Sequence, residues 1–230
     1  MGWSAAAILV LAFIDSWAAP KVPGVITSSA QPPSRVDQIR QRHLPDLRLT
    51  DHTGRELHFY RDMVRGKVVA INFMYASCSR LCELASQNMA RLQDELGDRL
   101  GHDAVLYSIS LDPEHDTPAA LAAYREQHGA RPGWLFLTAA SLAEVTDLRR
   151  KLGVFDPDPE RDSDLSSHTN MVILGNERIG RWTMMPALAH PVRLRQALDR
   201  VILPPEQWPR GEAVVQAVPR QDSLASLRNK

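Results

Sequence analysis

The two cysteines are the residues with the clearest capacity for chemistry. Cys78 and Cys82 are the only cysteines in the sequence, and they stand four residues apart. They follow an apolar run, Val68–Met74, and open a segment with helical periodicity. On a helix, residues i and i+4 share a face with Cα atoms about 6 Å apart, a distance that a disulfide can span. The pair can therefore bind a soft metal, form a disulfide, or alternate between these states.

A third donor for such a metal is harder to identify from the residues alone. Six of the eight histidines occur in polar or turn contexts and are interpreted as surface residues: His43, His52, His58, His102, His128 and His190. His168 differs because it ends a long polar loop just before an apolar strand, and long loops in compact domains are often functional. Two thiolates and one imidazole suit copper(I), or copper(II) and zinc with a further ligand. Spacing alone does not decide whether His168 is a ligand.

The segments around these residues alternate between strand and helix patterns. Strands are predicted at Leu47–Thr50, Leu57–Tyr60, Val68–Met74, Ala104–Leu111, Trp134–Thr138, Asn170–Leu174 and Arg178–Thr183. Helices are predicted from Leu81 to Leu100, from Pro118 to about His128, from Ser141 to Gly153, and from Pro191 to Ile202. The first and last strand pairs are predicted hairpins, the last one turning at Gly175-Asn176.

This order predicts a mixed α/β sheet with helices on its faces. Ligands in such sheets lie outside the carboxyl ends of the strands, and the cysteine pair is at one such end.

The composition is typical of a globular protein and argues against one class of partner. The hydrophobic content of 44% allows an ordinary globular core. Lys and Arg number 27 and Asp and Glu also number 27, so the net charge is zero. This balance argues against nucleic acid as the main partner, because phosphate binding relies on excess Lys and Arg.

The chain is predicted to have one folded domain between irregular ends. Residues 1–18 resemble a signal peptide or a short anchor: the apolar stretch Ala5–Ile14 is followed by the small residues Ser16 and Ala18, although no Lys or Arg precedes it. It is shorter than the roughly 20 apolar residues of a membrane span. We expect a linker at residues 19–40, the domain at 41–203, and an irregular Pro-containing tail at 204–230.

Three segments together resemble the signature of the Sco/SenC copper-chaperone family. They are Lys67–Cys82, which ends in Cys-Ser-Arg-Leu-Cys, then Ser110–Pro118 with Asp-Pro-Glu-His-Asp-Thr-Pro, and Ser167-His168-Thr169. Their order and spacing also match, and the resemblance covers about residues 44–203. A CxxxC motif alone is weak, but its combination with this strand, this loop and the downstream histidine is specific.

The resemblance implies a thioredoxin-like fold. It implies one copper ion, Cu(I) or Cu(II), bound by Cys78, Cys82 and His168, with the two cysteines also able to form a disulfide. The expected role is assembly of the dinuclear copper site of cytochrome c oxidase, so the partner would be the copper-site subunit. Family members are exported or membrane-anchored and face the periplasm or the mitochondrial intermembrane space. The N-terminal apolar stretch fits the periplasmic location and membrane association through the N-terminus.

Two positions depart from the family pattern. Glu83 follows the second cysteine, where family members typically have proline, and Ser167 precedes His168, where many have aspartate. A carboxylate beside the pair can raise thiol pKa values, add an oxygen ligand, or favour the first helical turn. Loss of the aspartate removes an orienting partner for the imidazole. Copper affinity, redox potential and partner choice are the properties on which these two changes bear.

The cysteine pair also fits two other functions. The pair could serve as a thiol–disulfide oxidoreductase that keeps a partner's copper-binding cysteines reduced. A permanent disulfide staple is a third alternative, although a four-residue spacing constrains the unfolded chain little. Asp112 and Asp116 are either turn and cap residues or part of a loop that flanks the metal or a partner. Met184-Met185 could attract copper(I), but adjacent methionines at a strand end are typical of packing.

Overall fold

The computed structural model describes residues 32–78, 81–165 and 170–203. Within these residues the strands are β1 (Arg48–Asp51), β2 (Glu56–His58), β3 (Val68–Met74), β4 (Val105–Ser110), β5 (Trp134–Ala139), β6 (Met171–Asn176) and β7 (Arg181–Pro186). They form one sheet in the order β2-β1-β5-β4-β3-β6-β7. The central strands β3, β4 and β5 are parallel, and the outer strands pair antiparallel. The predicted mixed sheet is confirmed.

Helices cover both faces of the sheet. The α-helices of the described residues are α1 (Arg35–His43), α2 (Leu81–Leu96), α3 (Pro118–Gln127), α4 (Leu142–Lys151), α5 (Pro159–Ser163) and α6 (Pro191–Ile202). Helices α2, α3 and α6 pack on one face through Met89, Leu121 and Leu198. Helix α4 and a π-helical segment, Phe59–Val64, pack on the other face. The layers agree with the predicted α/β class.

Strand β3 is the strand that the sequence predicts best. All seven of its residues are buried, as expected for a continuous apolar run in the centre of a sheet. Ala70 and Met74 belong to the core on the α2 face, and Ile71 and Phe73 to the core on the α4 face. Because β3 packs on both faces, its carboxyl end is held in place. The loop that carries the cysteines begins at this end.

Two helix starts follow their predicted caps. Thr117 Oγ1 accepts a hydrogen bond from the N–H of Ala120 at 3.2 Å, with Pro118 as the first residue of α3. Ser141 Oγ accepts from the N–H of Glu144 at 3.3 Å at the start of α4. Helix α6 begins at Pro191 and ends at Ile202, as predicted.

The second hairpin turns later than predicted. Strand β6 continues through Asn176, and the turn is the 3-10 segment Glu177–Ile179. Gly175 is a strand residue paired with Trp182, and a Cβ at Gly175 would collide with the Trp182 ring. The glycine therefore permits close approach of an aromatic ring rather than a turn.

Other differences concern boundaries. Helix α1 includes residues 35–40, which the sequence assigned to the linker, and α2 ends at Leu96 rather than Leu100. The polar loop after residue 156 contains a short helix, α5, capped by the Asp158 carboxylate, which accepts from the N–H of Glu160 at 3.0 Å. The predicted leader and tail, at residues 1–18 and 204–230, lie outside the described residues. No helix of the described part of the chain is long and apolar enough to cross a membrane.

Candidate functional site

The two loops that follow β3 and β4 meet at one edge of the sheet. Because these strands are parallel, both loops leave from carboxyl ends. The first loop makes a tight turn in which the N–H of Cys78 donates to the carbonyl of Tyr75 at 3.2 Å. The second loop contains Asp112 and Asp116. The cysteine pair therefore lies at the sheet edge where the topology predicts a ligand site.

The two thiols differ in exposure. Cys78 is partly exposed just before α2, whereas Cys82, in the first turn of α2, is fully buried at 0% exposure. The backbone N–H of Cys82 donates to Cys78 Sγ at 3.3 Å. An amide donor at a helix start favours negative charge on the sulfur that accepts from it. The arrangement gives one accessible sulfur with a stabilising donor and one buried sulfur behind it.

The buried thiol is the harder one to ionise. Burial raises the pKa of Cys82, and the hydrogen bond with Cys78 and the negative charge of Asp116 add to that shift. Burial and a hydrogen bond with Cys78 also raise the pKa of Tyr75 to about 12. The Tyr75 phenol thus stays protonated at neutral pH beside Cys78. Tyr75 was not among the site residues predicted from the sequence. The only sequence feature that marks Tyr75 is its position three residues before Cys78.

Asp116 joins the two loops. Its carboxylate is 3% exposed and accepts from the N–H of Ala76 at 3.0 and 3.2 Å and from Ser110 Oγ at 2.5 Å. Burial raises the pKa of Asp116, although these hydrogen bonds oppose the shift. Of the two alternatives for this loop, the structure supports the one in which it flanks the cysteine site. Asp112, in contrast, pairs with the exposed His115 at 2.8 Å within the same turn.

Glu83 contacts a histidine at the end of α3. Its Oε2 lies 3.4 Å from His128 Nε2, a close electrostatic contact without hydrogen-bond geometry. Its Oε1 accepts from Gln87 Nε2 at 3.0 Å. The His128 side chain is only 4% exposed and its ring lies 4.4 Å from that of Tyr124, so its assignment as a surface residue was wrong. Burial lowers the pKa of His128, and the charge of Glu83 opposes that effect.

The described part of the chain does not include the third predicted ligand. His168 and Ser167 lie outside the described residues. Among the residues that are described, no group of three His, Cys, Asp or Glu side chains could hold a metal ion. Met184 and Met185 pack against the core on opposite faces of the sheet, which fits the packing interpretation of this pair.

Comparison with known proteins identifies related chains. The sequence model of the SCO1/SenC family matches residues 36–203. The SCO2-like protein of Rickettsia conorii is 29% identical over 134 residues, which are 55% of this chain and 62% of that protein. The chain thus aligns with less than two thirds of the length of this curated relative.

Solved structures share the fold. A SCO1/SenC family lipoprotein from Bacillus anthracis has a TM-score of 0.58 and 22% identity, covering 69% of this chain and 94% of that chain. Bradyrhizobium japonicum ScoI, solved with copper bound, has a TM-score of 0.55 and 24% identity, covering 69% and 98%. The thioredoxin-like architecture of these structures is the fold of this protein.

The asymmetry of the thiols predicts unequal alkylation. In the reduced, metal-free protein at pH 7, we expect iodoacetamide to modify Cys78 at least about tenfold faster than Cys82, because burial of Cys82 both blocks access and keeps it protonated. Peptide mass spectrometry over a time course measures both rates. Cys82→Ala should keep the fast phase and Cys78→Ala the slow one. Equal rates, or faster labelling of Cys82, would contradict this geometry.

The contact of Glu83 with His128 predicts a shift in histidine titration. Glu83→Gln removes the negative charge that opposes desolvation, so the pKa of His128 should fall further below its usual value. NMR titration of the imidazole protons measures it. Gln87→Ala keeps the carboxylate and should leave the His128 titration near that of the native protein. An unchanged His128 titration in Glu83→Gln would show that the two groups do not interact in solution.

Proposed function

Because the chain belongs to the SCO1/SenC family, we propose that it is a copper chaperone for cytochrome c oxidase. It binds one copper ion, Cu(I) or Cu(II), through Cys78, Cys82 and His168. It delivers this cargo to the copper-site subunit during assembly of the dinuclear centre. Thiolates are the metal-binding form, so loading releases the thiol protons, and transfer exchanges these sulfur ligands for those of the partner.

The observation that carries the proposal is the cysteine pair at the carboxyl edge of β3. Two sulfurs one helical turn apart offer soft ligands, which select copper(I). Cys78 is partly exposed, so an acceptor's thiolate can reach the metal from its side. The nearby Asp116 charge, which raises the pKa of Cys82, also favours a cation at this position. The donor set and its electrostatics both suit the proposed cargo.

The described residues on either side of His168 support it as the third donor. Leu165 packs against the core on the α4 face. The carbonyl of Asn170 accepts from the N–H of Ala187 at 2.8 Å, and β6 starts next along the chain and pairs with β3. His168 precedes Asn170 by two residues. Because β6 is antiparallel to β3, its start lies at the edge where β3 ends, which supports the proposal that His168, two residues before Asn170 in the sequence, is the third ligand.

The location follows from the function and from one relative. We propose an exported protein whose domain faces the periplasm, held at the membrane by its N-terminal region or released from it. The Bacillus anthracis relative is a lipoprotein. The apolar stretch at residues 5–14 of this chain suits a signal or anchor.

Copper binding by the His168 variant tests the ligand set. We expect the reduced protein to bind one equivalent of copper(I), and His168→Ala to weaken the affinity at least about tenfold, because loss of even an outer partner of a metal ligand costs that much. Competition with a chromophoric copper(I) chelator measures both. His115→Ala is the matched control, because His115 is an exposed histidine at the same edge. Unchanged affinity and spectrum in His168→Ala would reject the three-ligand site.

A second function is favoured by the asymmetry of the thiols. A partly exposed Cys78 with an amide donor is suited to attack a partner's disulfide, which releases one partner thiol and leaves a mixed disulfide. Attack by Cys82 on Cys78 Sγ then releases the second thiol and leaves Cys78–Cys82 oxidised. Two electrons pass to the partner, and an external thiol reductant must restore the pair.

Reduction of a disulfide-bridged peptide from an oxidase copper site separates the two functions. A thiol reductase would reduce this peptide without metal, and His168→Ala would retain the activity. A chaperone without reductase activity would leave the peptide oxidised yet bind copper through a His168-dependent site.

A further inference from the structure

The turn between β6 and β7 exposes an apolar side chain beside a cation. This turn is the 3-10 segment Glu177–Ile179, in which Ile179 is 50% exposed and Arg178 is also exposed. Because β6 is antiparallel to β3, the turn lies at the edge where β3 begins, and Asn176 pairs with Val68 there. A single exposed isoleucine is common on protein surfaces, so its significance depends on the residues around it.

Three cationic side chains lie together next to this turn. Arg65 and Lys67 flank Gly66 in the loop before β3, and Arg178 Nε donates to the carbonyl of Gly66 at 2.6 Å. Lys67 Nζ donates to the carbonyl of Asp62. Within the described residues, none of these three cations forms an ion pair with a carboxylate. We refer to the three cations together with the exposed isoleucine of the turn as the Arg178 surface.

A buried carboxylate holds the loop and the turn together beneath these cations. Glu177 is 7% exposed, and it accepts from the N–H of Gly66 at 2.7 Å and from the Tyr60 hydroxyl at 2.9 Å. The N–H of Glu177 donates in turn to the carbonyl of Lys67 at 3.1 Å. The other nearby carboxylate, Asp62, accepts from a backbone N–H at 2.7 Å. Three cations therefore face two carboxylates that already accept hydrogen bonds, and the surface is positive on balance.

The start of α1 packs against the same turn. A Cβ at Gly180 would lie 3.2 Å from Val36 Cγ2 and 3.5 Å from Ile39 Cδ1, so α1 approaches the backbone closely here. Residues 1–31 join the described chain at Pro32, three residues before α1 begins. The N-terminal segment, with the apolar stretch that suits a signal or anchor, is therefore attached to the domain beside the Arg178 surface.

The cysteine pair is at the other edge of the sheet. Lys67 precedes β3 and Cys78 follows it, and the seven residues of β3 span roughly 20 Å. A plane that touches the Arg178 surface thus leaves the partly exposed Cys78 facing away from it.

We propose that the Arg178 surface docks on an anionic phospholipid membrane. Its cations contact the lipid phosphates and Ile179 enters the interface, a combination of charge and apolar contact that is typical of interfacial binding. This inference rests on the membrane location in the proposed function. A domain joined to an anchored segment is already close to the lipid, so contacts too weak to capture a free protein suffice to orient it. In this orientation Cys78 is presented to a partner on the side away from the lipid.

Vesicle binding by the full chain tests the docking surface. Sedimentation measures its affinity for vesicles of phosphatidylcholine alone and for vesicles that also contain phosphatidylglycerol. The ratio of the two affinities isolates the electrostatic contribution from insertion of the N-terminal apolar stretch. We expect a preference for the anionic vesicles, and at least about a tenfold loss of it when Arg65, Lys67 and Arg178 are all replaced by Gln, because each cation near a charged surface contributes about fivefold. Added salt should weaken the native preference in the same way.

Matched variants on α2 control for net charge and for apolar exposure. Arg178→Gln should lose about fivefold of the preference, whereas Arg91→Gln, which removes an exposed cation from α2, should not. Ile179→Ser should weaken binding to the anionic vesicles. Leu84→Ser changes a side chain that is also 50% exposed, and it should bind like the native chain.

Each outcome supports or overturns the docking surface. Equal binding of the native chain to both kinds of vesicle, or an unchanged preference in the triple variant, would reject it. Equal losses in Arg178→Gln and Arg91→Gln would indicate a response to net charge alone and would also overturn it. If Arg178→Gln does not fold because its hydrogen bond to Gly66 is lost, Arg65→Gln gives the same test from an exposed side chain.

Copper(I) titration of the same proteins reports on the proposed function separately. The vesicle-binding variants should bind one equivalent of copper(I) like the native chain, because their substitutions lie at the edge away from the cysteines. A native chain that prefers anionic vesicles but binds no copper would reject the proposed function and leave the docking surface in place. A chain that binds copper without this preference would reject only the docking surface.

Discussion

The buried carboxylate of Asp116 is the constraint on which the cysteine site depends. It ties the loop after β3 to the loop after β4 through the N–H of Ala76 and the hydroxyl of Ser110. Burial of a charge is costly, and the raised pKa of Asp116 records that cost. These hydrogen bonds hold the turn before Cys78 in place. In this geometry the N–H of Cys82 donates to Cys78 Sγ. Asp116 therefore links the sheet to the geometry of the thiols.

The electrostatics of the site favour a bound cation over a bare thiolate pair. Cys82 is buried and near the Asp116 carboxylate, so its ionisation adds negative charge where little water can screen it. In the proposed function, a copper ion would supply the missing positive charge. The carboxylate of Glu83 contacts His128, at the end of α3, and Gln87, on α2. These contacts connect α2 to the end of α3.

Strong local signals made much of the fold predictable from the sequence. The apolar run of β3 and the Thr117-Pro118 start of α3 each have a single structural interpretation. The turn predicted at Gly175 was wrong because a glycine is equally suited to a turn and to the close approach of an aromatic ring. Only those parts of the site whose residues are close together in the sequence were predictable. Glu83 and His128 are distant along the chain, and no spacing rule reveals such a contact.

The most direct test of copper binding by the cysteine pair is X-ray absorption at the copper K-edge. The reduced protein is loaded with one equivalent of copper(I), and the first coordination shell is fitted for sulfur and nitrogen. We expect two sulfur ligands and one imidazole nitrogen, with the nitrogen lost in His168→Ala. A shell of only nitrogen and oxygen, or a sulfur shell that is the same in His168→Ala, would contradict it.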